Sequence, residues 1–169
     1  MMELENTPLN LIPVLEESIL AIKPIGDKRN ISIKLITPQK VLLVFGDISG
    51  LQQVFINLLN NAIKFSPKGS IVEVEVKRSG DQMNISITDH GLGIPPEALP
   101  HLFQRFYRAK NVTIAEIPGS GIGLYIVRSI IETLGGTISV ESVQNKGTTF
   151  TVTLRNAELV KFDNNEHSE

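Results

Sequence analysis

Asn57-Leu-Leu-Asn-Asn61-Ala-Ile-Lys64 sets amides at i and i+4 and an ammonium at i+7, and on a helix all three share one face. Around it, Leu51, Val54, Phe55, Leu58, Ala62 and Phe65 recur at three- and four-residue spacing, the pattern by which an amphipathic helix meets a core. A helix is therefore expected from Ser49 to Phe65, apolar on one side and carrying two amide oxygens and a cation on the other. Taken alone, Asn57 or Asn61 reads as an ordinary surface amide. What the chain sets opposite this stripe decides whether it serves a ligand.

Two glycine segments lie downstream. Ile85-Ser-Ile-Thr88 alternates apolar and polar residues, so Asp89 closes a strand, and the glycines of Asp89-His-Gly91-Leu-Gly93-Ile94 permit a turn with positive φ and close approach of a ligand. Gly119-Ser120-Gly121-Ile122-Gly123-Leu124 leads into a helix-like stretch, Leu124 to Leu134, that closes with Gly135-Gly136. At a helix start, unpaired N–H groups and a partial positive charge favour phosphate. Neither of the commoner phosphate loops is present: there is no Gly-x-x-x-x-Gly-Lys-Ser/Thr run, and the second glycine group does not directly follow a strand.

Elsewhere, Pro13 to Ile22 reads as a helix that passes Pro24 only in kinked or interrupted form. Ile31 to Ile36 and Val41 to Phe45 read as strands on either side of Pro38, forming a hairpin beside that helix. Two further hairpins are expected, Ile71–Lys77 with Met83–Thr88 around Ser79-Gly80-Asp81, and Thr137–Glu141 with Thr148–Leu154 around Asn145-Lys146-Gly147. Roughly five or six strands and three helices grouped in this way imply an α/β two-layer sandwich, an antiparallel-rich sheet with helices over one face. From Asn156 the sequence turns polar and acidic, so the expected organisation is one domain over residues 1–155 and a disordered tail over 156–169.

Composition narrows the function classes. With 169 residues and 41% apolar content the chain can bury one sizeable core. Sixteen basic against 18 acidic side chains give a net charge of -2 with no basic run, which argues against a nucleic-acid partner. Cysteine is absent and His90, His101 and His167 lack ligand spacing, which argues against disulfides and zinc. The longest apolar run, Val41 to Phe45, is far short of the ~20 residues that span a bilayer, and the N-terminus has no signal-peptide pattern. A soluble, cytoplasmic domain without direct membrane contact is expected.

The order Asn57-x-x-x-Asn61-x-x-Lys64-Phe65, Asp89-x-Gly91-x-Gly93-Ile94, Phe103-x-x-Phe106, Gly119-x-Gly121-x-Gly123-Leu124 resembles the N, G1, F and G2 boxes of the ATP-binding catalytic domain of bacterial sensor histidine kinases. The likeness runs from about Leu11 to Leu154, and four motifs in order are far more specific than any one of them. It implies the Bergerat ATP-binding fold shared with gyrase, the heat-shock chaperone ATPase and mismatch-repair ATPases, a mixed, mostly antiparallel sheet of about five strands covered on one face by three helices. It also implies ATP and Mg²⁺ as cofactors.

Carried over residue by residue, the resemblance makes Asp89 the carboxylate that accepts a hydrogen bond from the adenine amino group. An ionised carboxylate only accepts, so guanine's carbonyl would be refused in a dry pocket. Thr148 is implied to lie near the adenine and Asp89, acting through water. Asn61 would give its amide oxygen to Mg²⁺, with Asn57 a second polar contact one turn earlier, and hard oxygen ligands suit magnesium. Lys64 would neutralise phosphate charge, Phe65 would lie against the nucleoside, and Arg108 would reach the γ-phosphate. Gly91, Gly93, Ile94, Gly119, Ser120, Gly121, Ile122, Gly123 and Leu124 would form the pocket's backbone, and the stretch between Tyr107 and Ser120 an ATP lid.

Water-activating members of that superfamily carry a glutamate at the position of Asn57, and a neutral amide cannot take its proton. The resemblance thus implies transfer of the γ-phosphoryl group to a histidine on a separate phosphoacceptor/dimerisation domain, expected to be absent from this chain. His90, His101 and His167 do not fit the acceptor role. The implied partners are that domain and a response regulator receiver domain, the chain itself being a monomer in isolation; membrane anchorage of the parent is left open. Two other classes share these motifs, a protein-serine kinase of the anti-sigma type and a nucleotide-gated binding module without transfer activity. The lid with Tyr107-Arg108 and the Gly-x-Gly-x-Gly-Leu ending fit sensor kinases better.

Overall fold

The amphipathic helix centred on Asn57 is α2, Ile48–Phe65, in a computed structural model that describes residues 3–107 and 123–158. Leu51, Val54, Phe55, Leu58 and Ala62 are all buried, as their spacing requires, together with Leu59 and Ile63. Both ends of the helix are fixed. Asp47 accepts the Gly50 N–H at 2.7 Å as N-cap. At the other end the Ser66 hydroxyl donates to Ala62 O at 2.6 Å, and the Arg29 guanidinium donates to Ser66 O at 2.6 Å.

In chain order the elements are β1 Thr7–Asn10, α1 Leu11–Lys28, β2 Ser32–Ile36, β3 Leu43–Gly46, α2, β4 Ile71–Ser79, β5 Gln82–Asp89, a 3₁₀ turn Leu99–His101, α3 Gly123–Thr133, β6 Thr137–Val143 and β7 Gly147–Arg155. The main sheet runs β2-β4-β5-β7-β6, with β2 parallel to β4 and every other pair antiparallel. Period-two alternation gives this sheet two unlike faces. Val72, Val74, Val76, Met83, Ile85, Ile87, Phe150, Val152 and Leu154 form a buried inner layer against the helices. The opposite face is a hydroxyl ladder: Ser86 with Thr151 at 3.0 Å, Thr88 with Thr149 at 2.9 Å, and Thr153 donating to Asn84 at 2.9 Å. A polar outer face leaves helices nothing to bury against, so the expected two-layer sandwich, with helices on one side, is the observed one.

Three expectations from the sequence need correction. The first helix is not interrupted at Pro24 but runs through it to Lys28. Proline removes the N–H that would bond Leu20 O, and because both residues face solvent, water can serve that carbonyl. Second, β2 and β3 are not a hairpin. β2 lies at the edge of the main sheet beside β4, whereas β3 pairs with β1 in a separate two-stranded sheet, bringing the described strands to seven. Leu42 and Val44 are fully buried, which draws this segment beneath the helices and away from the edge, and β1 went unread because it is short and carries Pro8. Third, the chain does not leave the fold at Asn156. Asn156 and Ala157 are buried, Asn156 donates to Asp81 O at 2.8 Å, and Ala157 donates to Leu43 O at 2.9 Å, tying the two sheets together. Residues 159–169, the remainder of the expected tail, lie outside the described residues.

Replacing Pro24 by Ala restores a helical donor at a solvent-facing position, and the expected gain in stability is about 2 kcal/mol after the looser unfolded chain is counted. Urea denaturation of the two proteins measures it, and a loss of stability in Pro24→Ala would show that the proline makes a needed contact.

Candidate functional site

One end of the sheet's inner face breaks its own rule. In β5 the inward positions read Met83, Ile85, Ile87 and then Asp89; in β7 they read Thr148 and then Phe150, Val152, Leu154; in β6 they read Ile138, Val140 and then Ser142. Thr148 is the register partner of both Asp89 and Ser142. The three side chains therefore form one polar row across adjacent strands at the edge of an otherwise apolar layer. Asp89 and Thr148 are each only 6% exposed. Among the described residues no salt bridge reaches Asp89, and a carboxylate buried in this way is costly to maintain, which makes the row a candidate site.

The loop after Asp89 is held from two sides. On one side Leu92 N–H donates to the carbonyl of Phe65, the last residue of α2, at 3.2 Å. Gly91 makes this possible, since a Cβ there would lie 2.0 Å from Phe65 O. On the other side the β6–β7 turn grips the loop: Asn145 N–H donates to Leu92 O at 2.6 Å, and Ile94 N–H donates to Ser142 Oγ at 2.8 Å. Gly93, at φ 67° with its Cβ position 2.2 Å from Val143 O, admits no side chain on either count. Phe65, Leu92, Ile94 and Tyr107 pack around the buried Ala98, a small apolar cluster that joins the main core through Ile94 and Tyr107 and adjoins the polar row through Ile94.

The amide stripe borders the same region. Asn57, Asn61, Lys64 and Phe65 are half-buried along α2. The start of α3 comes up beside them, with a Cβ on Gly123 falling 3.6 Å from Asn57 Oδ1. A helix N-terminus is thus presented to the amides. The structure brings Phe65, Gly91 and Ile94 together, pairs Asp89 with Thr148, and sets Gly123 against Asn57; Leu124 follows at the base of α3, half-buried. Arg108, Gly119, Ser120, Gly121 and Ile122 lie outside the described residues. Ser142, Asn145 and Ala98 were missed by sequence reasoning. Ser142 carried a usable signal, a hydroxyl at a position where the alternation of β6 calls for an apolar side chain.

Burial pushes the Asp89 carboxyl above the ordinary carboxylate range, opposed by N–H donation from Gly91 and Thr148 and by nearby His90. Among the described residues no group of three or more His, Cys, Asp or Glu side chains could hold a metal ion. The oxygen donors that remain are the amides of Asn57 and Asn61, a set that suits a hard cation retaining water and phosphate ligands of its own. No helix among the described residues is long and apolar enough to cross a membrane.

Residues 46–158 match the family described as histidine kinase-, DNA gyrase B- and HSP90-like ATPase. The chain belongs to this ATPase family. The sensor-like histidine kinase SenX3 of Mycobacterium tuberculosis is 36% identical over 148 residues, which cover 88% of this chain and 36% of SenX3. The sensor histidine kinase WalK of Bacillus subtilis is 36% identical over 119 residues, covering 69% and 20% of the two chains. Among solved structures, the mycobacterial sensor histidine kinase MprB superposes with a TM-score of 0.75 at 30% identity, over 89% of this chain and 97% of that one. A nucleotide-free catalytic domain of histidine kinase ThkA gives 0.78 at 29% identity, over 92% and 99%. This member of the family is an ATP-binding domain of the sensor histidine kinase type, and it spans only about a third of SenX3 and a fifth of WalK.

The raised pKa of Asp89 fixes the sign of a pH effect. Folding favours its protonated form, so ionisation of Asp89 costs stability near neutrality; the cost begins to decline as pH falls to its folded value and is gone below the ordinary carboxylate value. The stability difference between Asp89→Asn and the wild type should therefore shift in favour of the wild type as pH is lowered from 7. Denaturation curves at a series of pH values give that difference, and a shift the other way would mean that Asp89 is better solvated in the fold than its burial implies.

Proposed function

We propose that this domain binds Mg-ATP and presents the γ-phosphoryl group to a histidine on a separate phosphoacceptor domain. The observation that carries this reading is the buried Asp89 carboxylate at the end of the apolar sheet face, beside the cluster around Ala98 and within the fold shared with sensor kinases. Asp89 would accept from the purine amino group, Thr148 would support it, and Phe65 and Ile94 would bound the nucleoside. The loop carrying Gly91 and Gly93, gripped on both sides, keeps that edge in place before ligand arrives, which limits the ordering cost of binding.

Asn61 and Asn57 are the side chains that would reach a magnesium ion carried on the triphosphate, which when bound neutralises phosphate charge. Lys64 and the helix start at Gly123 and Leu124 would add positive potential on the phosphate side. Arg108 and the backbone of Gly119, Ser120, Gly121 and Ile122 are proposed to complete it. Because Asn57 offers a neutral amide and no carboxylate, the site has no base there to activate water, which favours transfer over hydrolysis. In the transfer a histidine nitrogen bonds to the γ-phosphorus as the bond to the β–γ bridging oxygen breaks, and ADP leaves. The chain's part is positioning and charge stabilisation.

The names of the relatives support the same partners: a dimerisation domain bearing the acceptor histidine, and a receiver domain of a response regulator. A cytoplasmic location and a monomeric state in isolation belong to this proposal. Mixing the chain with a phosphoacceptor fragment and γ-labelled ATP should label the fragment with an acid-labile, alkali-stable phosphate. Asn61→Ala should lower the labelling rate by a factor of 10² or more, on the order of one lost charge-stabilising contact. Acid-stable label would indicate a hydroxyl acceptor, and unchanged labelling by Asn61→Ala would remove that residue from the phosphate site.

A further inference from the structure

The third member of the polar row has a hydrogen-bond inventory that dictates the chemistry of its neighbour. Ser142 Oγ donates to Gly147 O at 2.9 Å, accepts from Ile94 N–H at 2.8 Å, and lies 2.8 Å from Thr148 Oγ1. A serine hydroxyl has one proton and two lone pairs. A carbonyl can only accept, so that single proton is committed to Gly147 O. Ile94 fills one lone pair, and the contact with Thr148 is satisfied only if Thr148 donates. Its own proton thus turned toward Ser142, Thr148 has nothing left to offer the pocket except lone pairs. Asp89 already receives the Gly91 N–H at 2.9 Å and, in its carboxylate form, likewise only accepts.

We propose that Ser142 is a specificity-determining positioning residue: by fixing the direction of the Thr148 proton it makes the Asp89–Thr148 edge an acceptor-only surface, one that fits a purine amino group and repels a 6-oxo purine. This rests on the reading above, in which the purine amino edge meets Asp89. Thr148 then receives a hydrogen from that edge directly or through one water. Without Ser142 the Thr148 hydroxyl would be released to rotate, able to donate to a carbonyl as readily as to accept from an amine, and the pocket would lose part of its preference.

The test compares ATP with inosine triphosphate, which differs at the 6-position of the base, by calorimetric titration in the presence of Mg²⁺. Wild type is expected to prefer ATP, and Ser142→Ala to reduce the ATP-to-ITP affinity ratio by about tenfold, the worth of one hydrogen bond gained or lost. Ser142→Thr keeps a hydroxyl and should restore the ratio. Thr148→Val leaves the bonds of Ser142 to Ile94 and Gly147 intact and should lower the ratio similarly, with the double variant lowering it no further. A ratio that is unchanged in Thr148→Val overturns the proposal whether or not Ser142→Ala folds, as does an unchanged ratio in a folded Ser142→Ala. Asp89→Asn separates this from the underlying reading. If it binds ATP as wild type does, the purine edge has been misplaced and both ideas fall; if it loses ATP while Ser142→Ala keeps full selectivity, only the role of Ser142 fails.

Discussion

The hydrogen bond from Leu92 N–H to the carbonyl of Phe65 joins the two halves of the candidate site. One partner ends the helix that carries Asn57, Asn61 and Lys64, and the other belongs to the loop that follows Asp89. The contact needs a backbone-to-backbone approach that no side chain at position 91 would permit. On the far side of the same loop, Ser142 and Asn145 hold Ile94 and Leu92. A single loop is thus fastened to α2 and to the β6–β7 turn, and the amide stripe, the apolar cluster and the buried carboxylate become parts of one surface.

Much of this surface was visible in the residue pattern because its parts obey short-range rules. The α2 stripe, the end of β5 at Asp89 and the two late hairpins depend on periodicity and turn chemistry within a few residues. What the pattern hid depends on contacts between distant segments. The partner of β3 is β1, more than thirty residues earlier, and the parallel placement of β2 beside β4 follows from where α2 must cross. Local rules predict a kink or interruption at Pro24 because proline lacks the helical donor, yet exposure of that turn lets water serve the carbonyl left over and the helix is uninterrupted. Asn156 and Ala157 look like the start of a polar tail until the buried bonds across two sheets are known.

Ser142 shows how the same rule can be carried further. Strand alternation locates the apolar core positions, and the informative residues are those that violate it. Asp89, Thr148 and Ser142 each interrupt an inward apolar series, and only the sheet register reveals that they are neighbours. Polar groups placed so deep are costly unless each finds a partner. Ser142 is fully partnered, Thr148 bonds to it, and the carboxylate of Asp89 receives the Gly91 N–H, so the one ionisable group of the row is held by backbone donors; in the proposed function it is the group that meets the purine.

In the proposed function a purine lies against Asp89 with its triphosphate along α2. The most direct measurement is a crystal structure of the domain with Mg²⁺ and a non-hydrolysable ATP analogue. The purine amino nitrogen should lie within hydrogen-bonding distance of the Asp89 carboxylate, with the metal bound by the Asn61 amide oxygen. A base seated away from the row of Asp89, Thr148 and Ser142, or phosphates turned from α2, would contradict it.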